Sequence, residues 1–313
     1  MKRRLLLRRA FAAAAVLSAA PAGLGAQAYK LRIGSQPGEA SADVFYAADM
    51  GYFERVKLPF EISILKNGAA TAAAVAGGSL DVGEGSVFTF MNAVRHGLPY
   101  TMIAPGSIYD SNAPTNLLMA AANSSIRSAK DLNGKIVGGQ ITGALDQLTI
   151  LAWVDQNGGD AKTVKVVEIS LAAMAEALEL GRIDAANMQE PYIGAAGSRL
   201  RVLGKSYDAV AKQFMASAWF TTKTFAAKEP DLVRRFADGV TQAAAWAGAN
   251  PEKAAAILEK WTSVKEPRIH TRNALRLDAA LVQPVCDAAL KYKMIDAPLD
   301  AKEFFWANRS PSI

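Results

Sequence analysis

The sequence predicts an α/β protein built from two similar units. Two stretches of the chain each show a short apolar run, an amphipathic helix, a second strand, a second helix and a third strand. A Gly-x-apolar-Asp motif follows the second helix in each stretch, at residues 78–81 and 181–184, which are 103 residues apart. Gly34 and Gly138, which end the opening strands, are 104 residues apart. The agreement of the two spacings indicates that one structural unit occurs twice.

Glycine and asparagine separate the predicted elements of the first unit. The segment YKLRIGSQ predicts a strand that ends in a glycine loop, and DVFYAADMGYF predicts a helix that stops at Gly51. FEISILKNG predicts an alternating strand, and the alanine-rich segment after it predicts a helix closed by Gly77 and Gly78. A third strand is expected to begin at Leu80 and Asp81. The order is therefore β-α-β-α-β.

The second unit repeats this order. GKIVGGQ predicts a strand, and the helix after it is expected to end at Asn157. VKVVEIS, LAAMAEALELG and RIDAANMQEP predict a strand, a helix and a strand that leads into a loop. The apolar residues that share one face of the first of these helices are Leu145, Leu148, Leu151 and Val154.

The last third of the chain is mainly helical. SAWFTT predicts a strand, and helices are expected to begin at Pro230 and Pro251, because proline suits the first helical position. Pro284 is expected to kink or restart its helix. Large aromatic side chains are expected to pack in the core of this part, namely Trp261, Phe304, Phe305 and Trp306.

The first 28 residues are typical of an export signal. Five basic residues precede an apolar core, and the small residues on either side of Gln27 predict cleavage after Ala28. The core is too short to span a bilayer, and the residue after the cleavage point is not a cysteine that could carry a lipid anchor, so we expect a periplasmic protein that is not embedded in the membrane. Export by the general secretory route is expected, and Arg8 with Arg9 leaves the twin-arginine route open.

The signal also accounts for most of the positive charge. The whole chain carries +6, and removal of its five N-terminal basic residues leaves +1. This charge offers no basis for nucleic-acid or membrane-surface binding. We expect a monomer.

Cysteine and histidine usage argues against a metal site or a nucleophilic enzyme. Cys286 is the lone cysteine, so no disulfide can form within the chain. The two histidines are His96, which is expected to cap a helix end, and His270, which is expected at the surface. We therefore expect no metal and no cofactor.

The glycine-rich loop GGQITG at residues 138–143 does not fit a nucleotide site. Gln140 stands where a dinucleotide fingerprint needs its second glycine. A P-loop would need Ser or Thr directly after the upstream pair Gly134-Lys135, but Ile136 follows that pair. The general property of a helix start remains, since its free N–H groups suit an acidic or polar ligand group. An ordinary strand-to-helix turn is the alternative.

Two units of this kind predict a ligand cleft. Open α/β sheets bind ligands in the crevice beyond the carboxyl ends of their strands, so two facing crevices form one cleft. The candidate binding residues in these loops are Ser35, Gln36, Asn67, Glu84, Gly85, Ser86, Gln140, Thr142, Gly143, Gln189 and Glu190. Tyr109, Tyr46 and Phe88 are candidates for stacking on a flat ligand, although burial in the core is the alternative for each.

Five segments in this order resemble the periplasmic substrate-binding proteins of nitrate, sulfonate and taurine ABC importers, with which thiamine-pyrimidine-binding proteins share a fold. The segments are AADMGYFERVKLPFEI, AAAVAGGSLDVGEGS, SIRSAKDLNGKIVG, EALELGRIDAANMQEPYI and ANPEKAAAIL. The resemblance covers nearly the whole mature chain.

The resemblance implies a type II periplasmic-binding fold, with two α/β lobes, a hinge and a cleft between the lobes. Lobe 1 would comprise residues 29–110 and 217–313, and lobe 2 residues 111–216. It also implies a small-molecule ligand and partner permease and ATPase subunits of an ABC importer.

Charge in the predicted loops restricts the ligand. They contain no Arg or Lys, while Glu84 and Glu190 would repel a bare anion unless they turn away. Helix-start N–H groups and neutral donors suit a small organic anion, and a zwitterion such as taurine would also suit the two carboxylates. An aminopyrimidine or an aromatic carboxylate is the alternative. The same fold resembles a pyrimidine synthase that uses a cysteine-rich motif, but this chain lacks that motif, so we expect no enzyme.

Overall fold

The computed structural model describes residues 29–190, 192–262 and 271–307, so the predicted signal at 1–28 and His270 lie outside the described residues. The strands are β1 (Leu31–Ser35), β2 (Phe60–Ile64), β3 (Val82–Ser86), β4 (Tyr100–Pro105), β5 (Ser107–Asp110), β6 (Asn116–Ala121), β7 (Ile136–Gly139), β8 (Lys165–Glu168), β9 (Ala185–Gln189), β10 (Leu200–Gly204), β11 (Gln213–Met215), β12 (Ser217–Thr222) and β13 (Arg272–Asn273). The α-helices are α1 (Asp43–Asp49), α2 (Tyr52–Arg55), α3 (Gly68–Ala76), α4 (Val87–Arg95), α5 (Leu145–Gln156), α6 (Leu171–Glu179), α7 (Tyr192–Ala196), α8 (Lys223–Lys228), α9 (Pro230–Ala249), α10 (Pro251–Thr262) and α11 (Ala279–Lys291). Within these ranges, every helix is too short or too polar to cross a membrane.

Two five-stranded sheets of matching design organise the chain. Their strand orders are β2-β1-β3-β12-β4 and β10-β6-β9-β7-β8. In the first sheet β1 pairs in parallel with β2 and β3, and in the second β7 pairs in parallel with β8 and β9. An antiparallel strand lies beside the third strand of each unit, β12 next to β3 and β6 next to β9. The predicted α/β class with two similar units is confirmed.

The repeated aspartate has the same structural role in both units. The Arg32 N–H donates to Asp81 Oδ2 at 2.8 Å, and the Ile136 N–H donates to Asp184 Oδ2 at 2.9 Å. Each aspartate N–H in turn donates to the carbonyl of the same partner residue at 2.8 Å. Because these bonds join the start of the third strand to the first strand, they fix the parallel register of the unit.

Glycine lets the second helix of the first unit pack close to its sheet. A methyl group at Gly34 would lie 2.5 Å from Leu80 Cδ1 and 3.0 Å from Thr71 Cγ2. At Gly138, the corresponding position of the second unit, a methyl would lie 2.9 Å from both Ile169 and Ile183. A side chain at either strand position would therefore overlap these neighbouring side chains and force them to shift.

A third, small sheet connects the two large ones. Its strand order is β11-β5-β13, with all pairs antiparallel. The chain leaves the first sheet through β5 and returns to it through β11, so both crossings lie side by side. Gly106 precedes β5, where a methyl group would lie 2.7 Å from the Ser217 carbonyl oxygen. Only glycine allows the two crossing segments to approach this closely.

Most predicted elements occur where the patterns placed them, and a few boundaries differ. The third strand begins at Val82 rather than Leu80, while α5 begins at Leu145, the first apolar residue of its predicted face. The helix α11 runs through Pro284 without restarting. The strands β4, β5, β6, β10, β11 and β13 were not among the predicted elements.

The aromatic residues considered for stacking are buried in the interior. Tyr46 and Phe88 are each 1 % exposed and belong to two different core clusters. Tyr46 packs near Trp246, with ring centroids 6.2 Å apart. Trp261, which was expected in the core, stacks on Phe45 with ring centroids 5.0 Å apart. Burial of these rings stabilises the lobes.

We expect Gly34→Ala to lower the free energy of unfolding by about 1–3 kcal/mol, because the new methyl group overlaps Leu80 and Thr71. Gly248→Ala in α9 is the matched control, since a methyl at Gly248 meets no atom within 4 Å. It should raise stability by up to about 1 kcal/mol. Urea denaturation measures both changes, and equal effects of the two variants would contradict this packing role.

Candidate functional site: a polar chamber between the two sheets

The carboxyl ends of β1, β3, β7 and β9 face a common chamber. The chamber has a cavity volume of about 70 Å³ and opens to solvent at one side. Its polar lining residues are Gln36, Ser41, Glu84, Ser86, Thr89, Ser107, Asn116, Gln140, Asp146, Gln189, Tyr207 and Ser217. We call this space the inner chamber.

Glu84 is the acidic group that the first sheet contributes. Its side chain projects from β3 and is 1 % exposed. Its Oε2 accepts a hydrogen bond from Gln36 Nε2 at 2.5 Å and another from Ser41 Oγ at 2.8 Å. Burial raises the pKa of Glu84 to about 7, although these donors and Ser217 favour the ionised form and oppose the shift.

The local sequence explains why Glu84 reaches the chamber. The backbone of β3 and the start of α3 approach closely at Gly85 and Gly68, where a methyl on Gly68 would lie 3.3 Å from Gly85 Cα. The Ser35 hydroxyl donates to the Ser41 carbonyl at 2.9 Å, which folds the loop after β1 back toward Glu84. Both features bring polar loops around one carboxylate.

Asp146 is the acidic group that the second sheet's unit contributes. It lies in the first turn of α5 and is 7 % exposed. Its Oδ2 accepts from the Gln140 N–H at 2.8 Å, and its Oδ1 accepts from Asn187 Nδ2 at 3.1 Å and from the Tyr207 hydroxyl at 3.3 Å. Burial raises the pKa of Asp146, and these three donors oppose the shift.

Glu84 and Asp146 are the charged side chains of the inner chamber, as far as the described residues show. No described Lys, Arg or His lines it. Neutral donors line the rest, including Ser86, whose hydroxyl caps α4 by accepting from the Thr89 N–H at 3.0 Å. A bare anion would therefore meet two carboxylates and no cationic partner from the described lining.

A wider second chamber adjoins the first. Gln36, Gln140 and Gln189 line both spaces, so these three amides form the boundary between them. Asn67 lines the second chamber, and its side chain caps α3 by accepting from the Ala70 N–H at 3.0 Å. We call this space the outer chamber.

The outer chamber is bordered by a contact between the two units. The Tyr192 hydroxyl donates to the Pro37 carbonyl at 3.3 Å. A methyl at Gly38 would lie 2.9 Å from Gln189 Nε2, so this glycine allows the loop after β1 to approach the end of β9. The two units are thus in contact at the border of the outer chamber.

Several residues predicted for the site line these chambers. In the inner chamber they are Gln36, Glu84, Ser86, Gln140 and Gln189, and Asn67 lines the outer one.

Other predicted residues lie outside the lining. Glu190 turns away, and its Oε2 accepts from the Gly194 N–H at 2.9 Å at the start of α7. Thr142 is exposed, and the Gly143 N–H donates to Gln147 Oε1 at 2.6 Å. Ser35 and Gly85 shape the loops around Glu84, as described above.

Tyr109 also lies behind the chamber rather than in its lining. Its hydroxyl donates to Asp208 Oδ1 at 2.7 Å, and its ring packs against Tyr207 with centroids 5.3 Å apart. Its position therefore supports Tyr207, which itself lines the chamber.

Sequence reasoning missed several lining residues. Ser41 lies six residues beyond the end of β1 and Asp146 seven beyond the end of β7. Asn116, Tyr207 and Ser217 come from segments that carried no loop signal. Asp146 had a readable signal, because an acidic residue in the first turn of a helix often bonds backbone N–H groups. His96 caps α4 as predicted, with Nδ1 2.7 Å from the Asn92 carbonyl. Within the described ranges, no group of three or more His, Cys, Asp or Glu side chains could hold a metal.

The two-unit architecture is that of the periplasmic binding proteins. The aliphatic sulphonate binding protein SsuA from Escherichia coli superposes with a TM-score of 0.71 at 21 % identity, over 89 % of this chain and 98 % of that one. The nitrate-binding protein NrtA from Synechocystis gives 0.71 at 13 % identity, over 88 % and 84 %. The desulfurization enzyme DSZB gives 0.65 at 14 % identity, over 88 % and 96 %. At such identities the likeness establishes the fold alone.

A family model described as NMT1/THI5 like matches residues 39–254. The chain belongs to this NMT1/THI5-like family. A comparison with curated protein sequences finds no match.

Glu84→Gln should remove a pH-dependent loss of stability. Because the folded-state pKa lies near 7, above the ordinary value of 4.5, the contribution of Glu84 is fully present below about pH 4.5 and is lost as the pH rises to about 7. The variant should therefore gain about 2–3 kcal/mol relative to wild type between pH 4.5 and pH 8. Urea denaturation without ligand at both pH values measures this difference, and a constant difference would contradict it.

Proposed function

We propose that the protein is the solute-binding subunit of an ABC importer and binds a small zwitterion, such as a taurine-like amino sulfonate, in the inner chamber. The NMT1/THI5-like family match and the likeness to sulphonate- and nitrate-binding proteins support a binding role. The export signal expected at residues 1–28 supports a function outside the cytoplasm. The partners would be the permease and ATPase of the importer.

The charge of the chamber is the observation that carries this ligand class. Two buried carboxylates, Glu84 and Asp146, line it beside neutral donors. A bare anion would meet these carboxylates at a cost of several kcal/mol, roughly, in a site with little water. A zwitterion supplies its own cation for the carboxylates, and its anionic end can bond hydroxyl and amide donors such as Ser86, Thr89 and Asn116.

Closure of the cleft completes the proposal. The two sheets are joined by the crossing strands β5 and β11, and we infer that these strands act as the hinge between a lobe of residues 29–110 with 217–313 and a lobe of 111–216. A ligand that contacts Gln36 and Glu84 on one side and Gln140 and Gln189 on the other would bind the closed state more tightly than the open one. The closed form would then be recognised by the permease.

An aminopyrimidine is the second candidate. Its exocyclic N–H donors would suit the same carboxylates, and Tyr207 offers a ring at the chamber wall. A pyrimidine-synthase-like enzyme is less well supported, because the described lining contains no histidine or cysteine. The desulfurization enzyme among the structural relatives has the same fold, so the fold alone does not exclude catalysis.

A thermal-shift panel tests the proposed function with the signal-free chain. Taurine, alkanesulfonates, nitrate, aromatic carboxylates and aminopyrimidines are the solutes to compare. A solute present at one hundred times its Kd should raise the melting temperature by roughly 5 °C, since it binds only the folded state. When all solutes are compared at one concentration, we expect the zwitterion taurine to give the largest rise in melting temperature. A larger rise with nitrate would contradict the proposed ligand class.

Tyr192→Phe should weaken ligand binding by about two- to tenfold, because it removes the hydrogen bond to the Pro37 carbonyl that borders the cleft mouth. Stopped-flow measurement of ligand release should show a faster rate. Tyr29→Phe is the control, because Tyr29 is 50 % exposed and lies near Asp81 at the opposite ends of the strands. Equal ligand release from both variants and wild type would exclude this contact from closure.

A further inference from the structure

We propose that Glu84 selects the charge of the ligand. In this proposal, the solute binds through a positively charged nitrogen held against the Glu84 carboxylate, and the matching solute with oxygen in place of that nitrogen is rejected. The inference rests on the proposed function and deepens it. It names Glu84 as the group that recognises the charge, and the positively charged nitrogen as the group of the solute that Glu84 binds.

The geometry around Glu84 supports this role. Its carboxylate is buried, lines the inner chamber and accepts from the neutral groups Gln36 Nε2 and Ser41 Oγ. No Lys, Arg or His among the described lining residues compensates its charge. A buried charge is costly unless a counter-charge accompanies it, and the ligand is the partner that can supply one at this place.

The other titratable groups around Glu84 supply no cation. Asp43 lies behind it at the start of α1, and burial followed by the charge of Glu84 raises the pKa of Asp43 well above its usual range. Asp146 and Tyr207 face the same chamber from the second unit. All of these groups are acidic, so none of them can neutralise an ionised Glu84.

Glu84 is a better selector than Asp146. The carboxylate of Asp146 already accepts from a backbone N–H and from two side chains of its own unit, which ties it to the structure of α5. The Glu84 carboxylate is bonded by the side chains of Gln36, Ser41 and Ser217, and these can reorient when a ligand arrives. Asp146 would add negative potential, while Glu84 would contact the nitrogen.

Selection by Glu84 predicts that ligand binding is coupled to a proton. Burial raises the pKa of Glu84 to about 7, so below that pH a proton competes with the cationic ligand for the carboxylate. Affinity for the cationic solute should rise by up to about tenfold for each pH unit between 5 and 7 and then level off. A solute without the cation should follow the opposite trend, because an ionised Glu84 repels it.

Isothermal titration calorimetry with matched solute pairs tests the inference. Taurine and isethionate differ by an ammonium and a hydroxyl group, as do β-alanine and 3-hydroxypropionate. Both ammonium groups stay protonated between pH 5 and pH 8. With the signal-free wild type at pH 8, we expect the nitrogen member to bind at least about tenfold more tightly than its oxygen partner. The preference should shrink at pH 5.

Glu84→Gln should abolish both the preference and the pH dependence, while it keeps a hydrogen-bonding side chain of the same length. Glu61→Gln is the control, because Glu61 is an exposed residue on β2 of the same sheet and its loss changes the net charge equally. That variant should behave as wild type. If Glu84→Gln fails to fold, as judged by circular dichroism, the wild-type pH profile of the two pairs decides the question alone.

The possible outcomes separate the two proposals. An oxygen member that binds as tightly as its nitrogen partner at pH 8 overturns selection by Glu84 and leaves a solute-binding function in place. The same follows if taurine affinity in wild type does not change with pH. Failure of all four solutes to bind overturns the zwitterion as the proposed ligand and selection by Glu84 together.

Discussion

The parallel register of each unit depends on one interaction, the pairing of an aspartate at the start of the third strand with the backbone at the start of the first. Asp81 and Asp184 make the same pair of bonds to Arg32 and Ile136. Because the first and third strands start together, their carboxyl ends also finish together. That alignment brings the Gln36 loop beside Glu84 in the first sheet and the Gln140 loop beside Gln189 in the second.

The chamber formed there is defined by the charge of its lining. It places buried carboxylates from both units in one space, and the described lining offers them only neutral partners. Such an arrangement lowers the stability of the empty protein at neutral pH, since burial raises the pKa of both Glu84 and Asp146. Binding sites often lower the stability of the empty protein in this way, because the ligand supplies the missing interaction.

The structural relatives share the fold of this chain and carry different names. The same fold occurs in proteins named for sulphonate binding, for nitrate binding and for desulfurization, at identities between 13 % and 21 %. The fold is therefore shared among proteins with different names, and a function has to be argued from the side chains of the site. In this chain the chamber lining includes Glu84, Asp146 and the three boundary glutamines.

The sequence by itself determined the α/β class, the twofold repeat and the loops that end the parallel strands, because hydrophobic period, glycine spacing and the repeated aspartate are local signals. It could not determine which side chains of those loops point inward. Glu190 and Glu84 carry the same local signal, yet one caps a helix and the other lines the chamber. Asp146, Asn116 and Ser217 reach the chamber only because the crossing strands place the two sheets face to face. Contacts between residues far apart in the chain depend on this packing, and no local pattern encodes them.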